Sequence, residues 1–99
     1  MQTTEVLHNA EESRYELHKD GAEIGIAEYR LVLNNGDAPT IAEFHHTLVT
    51  PAERGHGNAA RLVEGALTDV RKRGLKVTAT CWYVDQFLVE HPAYADLRA

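Results

Sequence analysis

Apolar and polar residues alternate with a period of two through much of the first half of the chain. Arg14-Tyr15-Glu16-Leu17-His18 puts Tyr15 and Leu17 on one side, as a half-buried strand does. Upstream, Met1 to Ser13 is polar and mixed, with Val6-Leu7-His8 as a short strand candidate. Lys19-Asp20-Gly21 is a hairpin turn signal, Asp-Gly favouring the left-handed conformations a tight turn needs. Glu23 to Leu33 reads as the return strand, with Ile24, Ile26 and Glu28 on one face and Ala27, Tyr29 and Leu31 on the other. The run Leu31-Val32-Leu33 breaks the alternation, which implies burial on both faces or a bulge. Asn34-Asn35-Gly36-Asp37 is the next turn. Thr40 to Val49 is the following strand, with Phe44, His46 and Leu48 on one face and Ile41, Glu43, His45, Thr47 and Val49 on the other. Three consecutive antiparallel strands make a meander.

The period then changes. From Gly57 or Asn58, the apolar positions Ala59, Leu62, Val63, Ala66, Leu67 and Val70 form one helical stripe. Arg71-Lys72-Arg73 ends the helix, where cations complement the dipole, and Gly74 supplies a C-terminal cap. That basic run is helix punctuation rather than a binding patch. Leu75, Val77, Ala79 and Cys81 alternate on one face of a strand spanning Leu75 to Cys81. Strand, helix and strand make a crossover, so this strand runs parallel to Thr40–Val49. Trp82 to Glu90 is a short helix stopped by His91-Pro92, and Ala93 to Leu97 is a last helical turn. The expected class is α+β, a meander followed by a β-α-β crossover and short C-terminal helices.

Composition narrows the function. A 99-residue chain with 43% hydrophobic residues is one domain, residues 1–99, with a modest core. The formal net charge of −5 argues against a nucleic-acid or anionic-membrane surface. Cys81 is the single cysteine, so no disulfide framework forms within the chain, as suits a reducing compartment. No segment reads as a signal peptide or a membrane span. A cytoplasmic protein is the expectation, a monomer or weak homodimer given the exposed edges of so small a sheet.

The candidate chemistry lies between the third strand and the helix, in Val49-Thr50-Pro51-Ala52-Glu53-Arg54-Gly55-His56-Gly57-Asn58-Ala59-Ala60. Glycines that let the backbone approach a ligand, followed by a helix N-terminus with free N–H groups, make an anion site, most naturally for phosphate. A Walker A loop is excluded because no Gly-Lys-Ser/Thr ending is present. Gly55, Gly57 and Ala60 meet G-x-G-x-x-G/A in form. However, Leu75 to Thr80 holds no acid about 20 residues on to bind a ribose. The third pattern, Arg/Gln-x-x-Gly-x-Gly/Ala, is met by Arg54, Gly57 and Ala59. A tight turn using glycine for geometry alone is the plainer alternative.

That third pattern resembles the acyl-CoA pyrophosphate loop of the GNAT superfamily of N-acetyltransferases. More closely, the chain resembles a group of small single-domain GNAT-like proteins. It shares His46-Thr47 before the loop, Arg54-Gly55-His56-Gly57 within it, Cys81 after the next strand, and His91-Pro92-Ala93-Tyr94. It departs in carrying Ala79 where the group often has proline, and in the bulk of Trp82. The resemblance implies a GNAT-like fold with a splayed mixed sheet and acetyl-CoA as co-substrate. Pyrophosphate would rest on the backbone N–H groups of Gly55, His56, Gly57, Asn58 and Ala59, with Arg54 closing the loop over it. Leu48, Val49 and Thr50 would run beside pantetheine and the acetyl group, a backbone N–H near Val49 polarising the thioester carbonyl. The acceptor would be an amine, either a small molecule or a protein lysine or N-terminus.

Four side chains are candidates for catalysis. His46 has the type of a general base; its alternative is a core-edge histidine holding the sheet by a hydrogen bond. Cys81 is an acetyl-accepting nucleophile if a neighbour makes its thiolate available, and otherwise a cleft-lining or buried small hydrophobe. Tyr83 can protonate the departing thiolate, or simply pack at a helix start. Glu43 can act through water as a base, or remain an exposed strand glutamate. No His, Cys, Asp or Glu set has metal-ligand spacing, so no metal is expected. Ser13, the single serine, lies in a polar segment without a nucleophile elbow. A CoA-binding or protein-interaction module without catalysis is the alternative function.

Overall fold

The computed structural model describes residues 3–33 and 39–99. The turn expected at Asn34–Asp37 lies outside them. The strands are β1 (Thr4–Asn9), β2 (Arg14–Lys19), β3 (Ala22–Leu33), β4 (Pro39–Val49) and β5 (Lys76–Ala79). They lie side by side in chain order. The first four are antiparallel, and β5 runs parallel to β4. The helices are α1 (Asn58–Lys72) and α2 (Trp82–Glu90), with 3-10 turns at Pro51–Glu53 and Pro92–Leu97. This is the expected α+β fold with its splayed mixed sheet, and the meander has four strands rather than three.

The additional strand, β1, is longer than the Val6–His8 candidate. Its helix-facing side chains carry little apolar bulk, so alternation barely marks it. Val6 packs against α1, and the His8 ring stacks on Tyr15 at 4.4 Å between centroids. Asp20 and Gly21 both have positive φ, 49° and 86°. These values give the two-residue hairpin turn that Asp-Gly favours.

The core lies on one face of the sheet. Leu62, Val63, Ala66, Leu67 and Val70 of α1 and Val84, Phe87 and Leu88 of α2 close over Tyr15, Leu17, Ala27, Tyr29, Phe44 and Val77. The helix end is a Schellman motif: Leu75 N–H donates to the Val70 carbonyl and Gly74 N–H to that of Arg71, both at 3.1 Å, with Gly74 at φ 72°.

Two corrections to the expected strands shape the site. In β4, Glu28 pairs with His46 but Tyr29 pairs with Phe44, so His45 is an extra residue. The bulge reverses the alternation. Phe44 faces the core, whereas beyond the bulge Val49 is buried and His46 and Leu48 are exposed. Phe44, His46 and Leu48 therefore do not share a face. In β5, pairing stops at Ala79 rather than Cys81. The Phe44 carbonyl accepts from both Thr80 N–H, at 2.9 Å, and Cys81 N–H, at 3.2 Å, and the chain turns away into α2. β4 continues to Val49 without a β5 partner, which opens a wedge between the strands.

Candidate functional site

The wedge ends at the glycine loop. Thr50 N–H donates to the Ile24 carbonyl at 2.8 Å, so the backbone groups of Thr50 and Leu48 point towards β3. By alternation those of Val49 and Thr47 point into the wedge. The Val49 carbonyl there accepts from Arg54 Nε at 2.9 Å. Arg54 thus folds back and ties the loop to the end of β4. The Val49 N–H faces the same opening.

Gly55 and Gly57 have φ 83° and 77°, a conformation L side chains enter at a cost of about 1–2 kcal/mol. Gly57 is the N-cap of α1, and no side chain caps the helix. The first intrahelical bond is Arg61 N–H to the Gly57 carbonyl, 3.1 Å, which leaves the N–H groups of Asn58, Ala59 and Ala60 beyond the helix ladder. No acidic residue occupies the first turn. A concavity of about 230 Å³ lies over this terminus, with Val49, Glu53, Arg54, Gly55, Gly57, Asn58, Ala59, Ala60 and Tyr83 in its wall, the Glu53 carboxylate being paired with Lys19. A second groove of about 460 Å³ shares Ala60 and Tyr83 and runs along α2 past Trp82. Helix dipole and oriented N–H groups make the concavity an anion receptor.

The Asn58 side chain and Arg61 hold the loop in shape; sequence reasoning used only the Asn58 backbone N–H and passed over Arg61. Buried Asn58 donates from Nδ2 to the Glu53 carbonyl at 2.9 Å. Its Oδ1 accepts from Arg61 Nη1 at 2.7 Å, and the same nitrogen reaches the His56 carbonyl at 2.9 Å. Their spacing of three on a helix start was the available signal. Lys19 grips Glu53 of the same loop, Nζ to Oε2 at 2.8 Å.

The expected site residues separate into three places. Val49, Arg54, Gly55, Gly57, Asn58, Ala59 and Tyr83 meet around the concavity. His56 is exposed on the loop's outer side, beside a polar groove shared with Lys19 and Arg61. Leu48, 45% exposed, and His46 lie on the sheet face without helices, and Thr50 is exposed at the strand end. Cys81 stands at the wedge mouth with Sγ 3.5 Å from Thr47 Oγ1, an approach across the strands that only the bulge makes available. The His46 ring has no hydrogen bond among the described residues. Burial, then the charge of Glu90, raises the Tyr83 pKa, so its phenol stays protonated at neutral pH. Glu43 accepts from Arg30 Nε at 2.7 Å.

Sequence spacing shows no metal set, yet the fold gathers ligand atoms of Glu16, His18 and Glu23 within 4.8 Å of one another. The Arg14 guanidinium already sits there, Nε 2.8 Å from Glu16 and Nη2 3.4 Å from Glu23. A cation would have to displace it. Among the described residues no helix is long and apolar enough to cross a membrane.

The sequence model of the GCN5-related N-acetyl-transferase family matches residues 14–97. The chain belongs to that family. Protein NATD1 of Homo sapiens is 40% identical over 52 residues, which are 52% of this chain and 46% of that protein. The chain thus spans about half the length of the relatives it matches. Among solved structures, a GCN5-like protein from Staphylococcus aureus superposes with a TM-score of 0.69 at 22% identity, covering 96% of this chain and 87% of that one. A GNAT family acetyltransferase from Brucella melitensis, solved in complex with acetyl-CoA, gives 0.59 at 22% identity, covering 79% and 54%.

Proposed function

We propose that the chain is an acyl-CoA-dependent N-acetyltransferase that moves an acetyl group from acetyl-CoA to an amine. The observation that carries this is the uncapped N-terminus of α1, with Gly55 and Gly57 at positive φ, opening at the end of the β4–β5 wedge. Pyrophosphate occupies the concavity on the N–H groups from Gly55 to Ala59, and pantetheine lies in the wedge beside β4. The Val49 N–H donates to the thioester carbonyl and stabilises the negative charge that grows on it. The amine attacks the carbonyl carbon, the C–S bond breaks, and Tyr83 gives its proton to the leaving thiolate. His46 removes a proton from the amine on the open face of the sheet. Cys81 lines the wedge mouth. The acceptor is a small-molecule amine or a protein lysine or N-terminus, and the half-open groove along α2 suits the larger class.

Calorimetric titration with acetyl-CoA and CoA, with dephospho-CoA and NAD as controls, tests the loop. CoA binding that Gly57→Val abolishes supports it; no binding to any of the four removes the enzyme reading. Turnover that survives in Cys81→Ala excludes an acetyl-cysteine intermediate. A second reading, a CoA-binding module without catalysis, is favoured by one observation: among the described residues Cys81 Sγ has its hydrogen bond with the neutral Thr47 hydroxyl and none with His46. Acetyl-CoA binding without turnover across polyamines, peptides and lysine-rich proteins selects that reading.

A further inference from the structure

A second cavity lies at the other end of α1. It measures about 300 Å³ and is walled by β1, β2, β3, β4 and the last turn of α1, about 20 Å from the glycine loop by the length of the helix. Leu31, Ala42, Val70 and Leu75 give it apolar sides. Polar groups from β1, β2, β3 and the end of α1 converge at its rim. His8 Nε2 is 2.6 Å from Tyr29 Oη, and Tyr15 donates to Asp69 Oδ2 at 2.6 Å. Arg73 Nε donates to the same carboxylate oxygen, and His8 Nδ1 stands 3.7 Å from it. The acetyl-transfer site uses none of these groups.

The free donors select the ligand. Asp69 already receives two donors, so it attracts a further cation weakly, and Arg73 repels one. The Nη groups of Arg73 make no hydrogen bond among the described residues, and they offer the forked donor geometry that suits a carboxylate. A phosphate would leave the mostly apolar wall unused. A volume at the lower end of the ligand-pocket range admits only a small molecule.

We propose that this pocket binds a small monocarboxylate with an apolar body, its carboxylate on Arg73 and its body against Leu31, Ala42, Val70 and Leu75. Phenylacetate is the probe, with phenylacetamide and phenethylamine as controls of matching shape. Titration followed by amide NMR shifts is expected to show saturable changes at Leu31, Ala42 and Leu75 with phenylacetate, at least tenfold weaker with either control. Arg73→Gln is expected to weaken phenylacetate roughly tenfold or more, the scale of losing hydrogen bonds to a charged group. Leu31→Asp, an acid on a half-exposed wall, is expected to do the same and guards against a loss caused by local unfolding at Arg73. Amide shifts of residues outside the pocket serve as the fold control and stay unchanged. The proposal is overturned by equal binding of the amide, by shifts confined to the glycine loop, by unaltered affinity in both variants, or by no saturable shift at all.

Discussion

At Gly65, a helix glycine has a reason that only packing shows. A Cβ there would lie 2.6 Å from Val6 Cγ2 and 2.7 Å from Val6 Cβ, closer than carbon atoms approach. Alanine would gain roughly 1 kcal/mol of helix propensity but would overpack by about 1–3 kcal/mol. Gly65→Ala is therefore expected to lower the melting temperature by several degrees. Val6→Ala in the same chain should recover part of the loss, a non-additivity read by a double-mutant cycle in urea. Glu16 makes a second prediction at this scale. Hydrogen bonds from Asn9, His18 and Arg14 hold its carboxyl down to about 2, below the ordinary value it has in the unfolded chain. Its contribution is thus complete above the unfolded pKa and lost as pH falls towards 2. Urea midpoints measured from pH 7 down to pH 2 should drop less steeply for Glu16→Gln than for the wild type; parallel profiles would refute the assignment.

At the level of elements, legibility follows what each pattern encodes. The stripe from Leu62 to Val70 and the Gly74 cap were readable because a helix is specified by its own residues. Crossover handedness then placed β5 beside β4. Two features were hidden. The bulge at His45 adds a residue without changing composition, so alternation carried through it assigns His46 and Leu48 to the wrong face. The wedge arises where the Phe44 carbonyl takes two donors, a backbone event that the run Val77, Ala79, Cys81 does not record. Hence the glycines at the start of α1 could be named from sequence, whereas the contact of Thr47 with Cys81 could not. The loop itself carries the next prediction. The space around a Gly57 Cβ is empty, so Gly57→Val strains the backbone by about 1–2 kcal/mol without a clash in the fold. It should remain folded by circular dichroism while losing CoA affinity by at least tenfold, because its φ of 77° aims the helix N–H groups. Retained affinity would show that anion binding does not depend on this geometry.

Over the whole molecule, the β4–β5 ladder and the shared core join β5 and α2 to the rest, and the wedge opens where that ladder stops. On one side β1 to β4 and α1 share most of the core; on the other, β5 and α2 pack against it. Above Phe44 the two sides are joined by Cys81 to Thr47 across the opening, while Arg54 to Val49 secures the loop. An acyl-CoA seated as proposed touches the N-terminus of α1, the end of β4 and the start of α2 at once, and so adds the cross-links the free chain lacks. A ligand that binds only the folded state stabilises it by about 2.7 kcal/mol at a hundredfold excess over Kd. In a domain of this size each kcal/mol moves the melting temperature by roughly 4–8 °C. Acetyl-CoA at that excess is therefore expected to raise it by on the order of 10–20 °C. Hydrogen exchange should slow most at Cys81 to Tyr83 and at Asn58 to Ala60, the two segments that face the opening. Protection confined to the loop, with α2 exchanging as before, would mean that the cofactor's phosphates bind while its pantetheine arm stays out of the wedge.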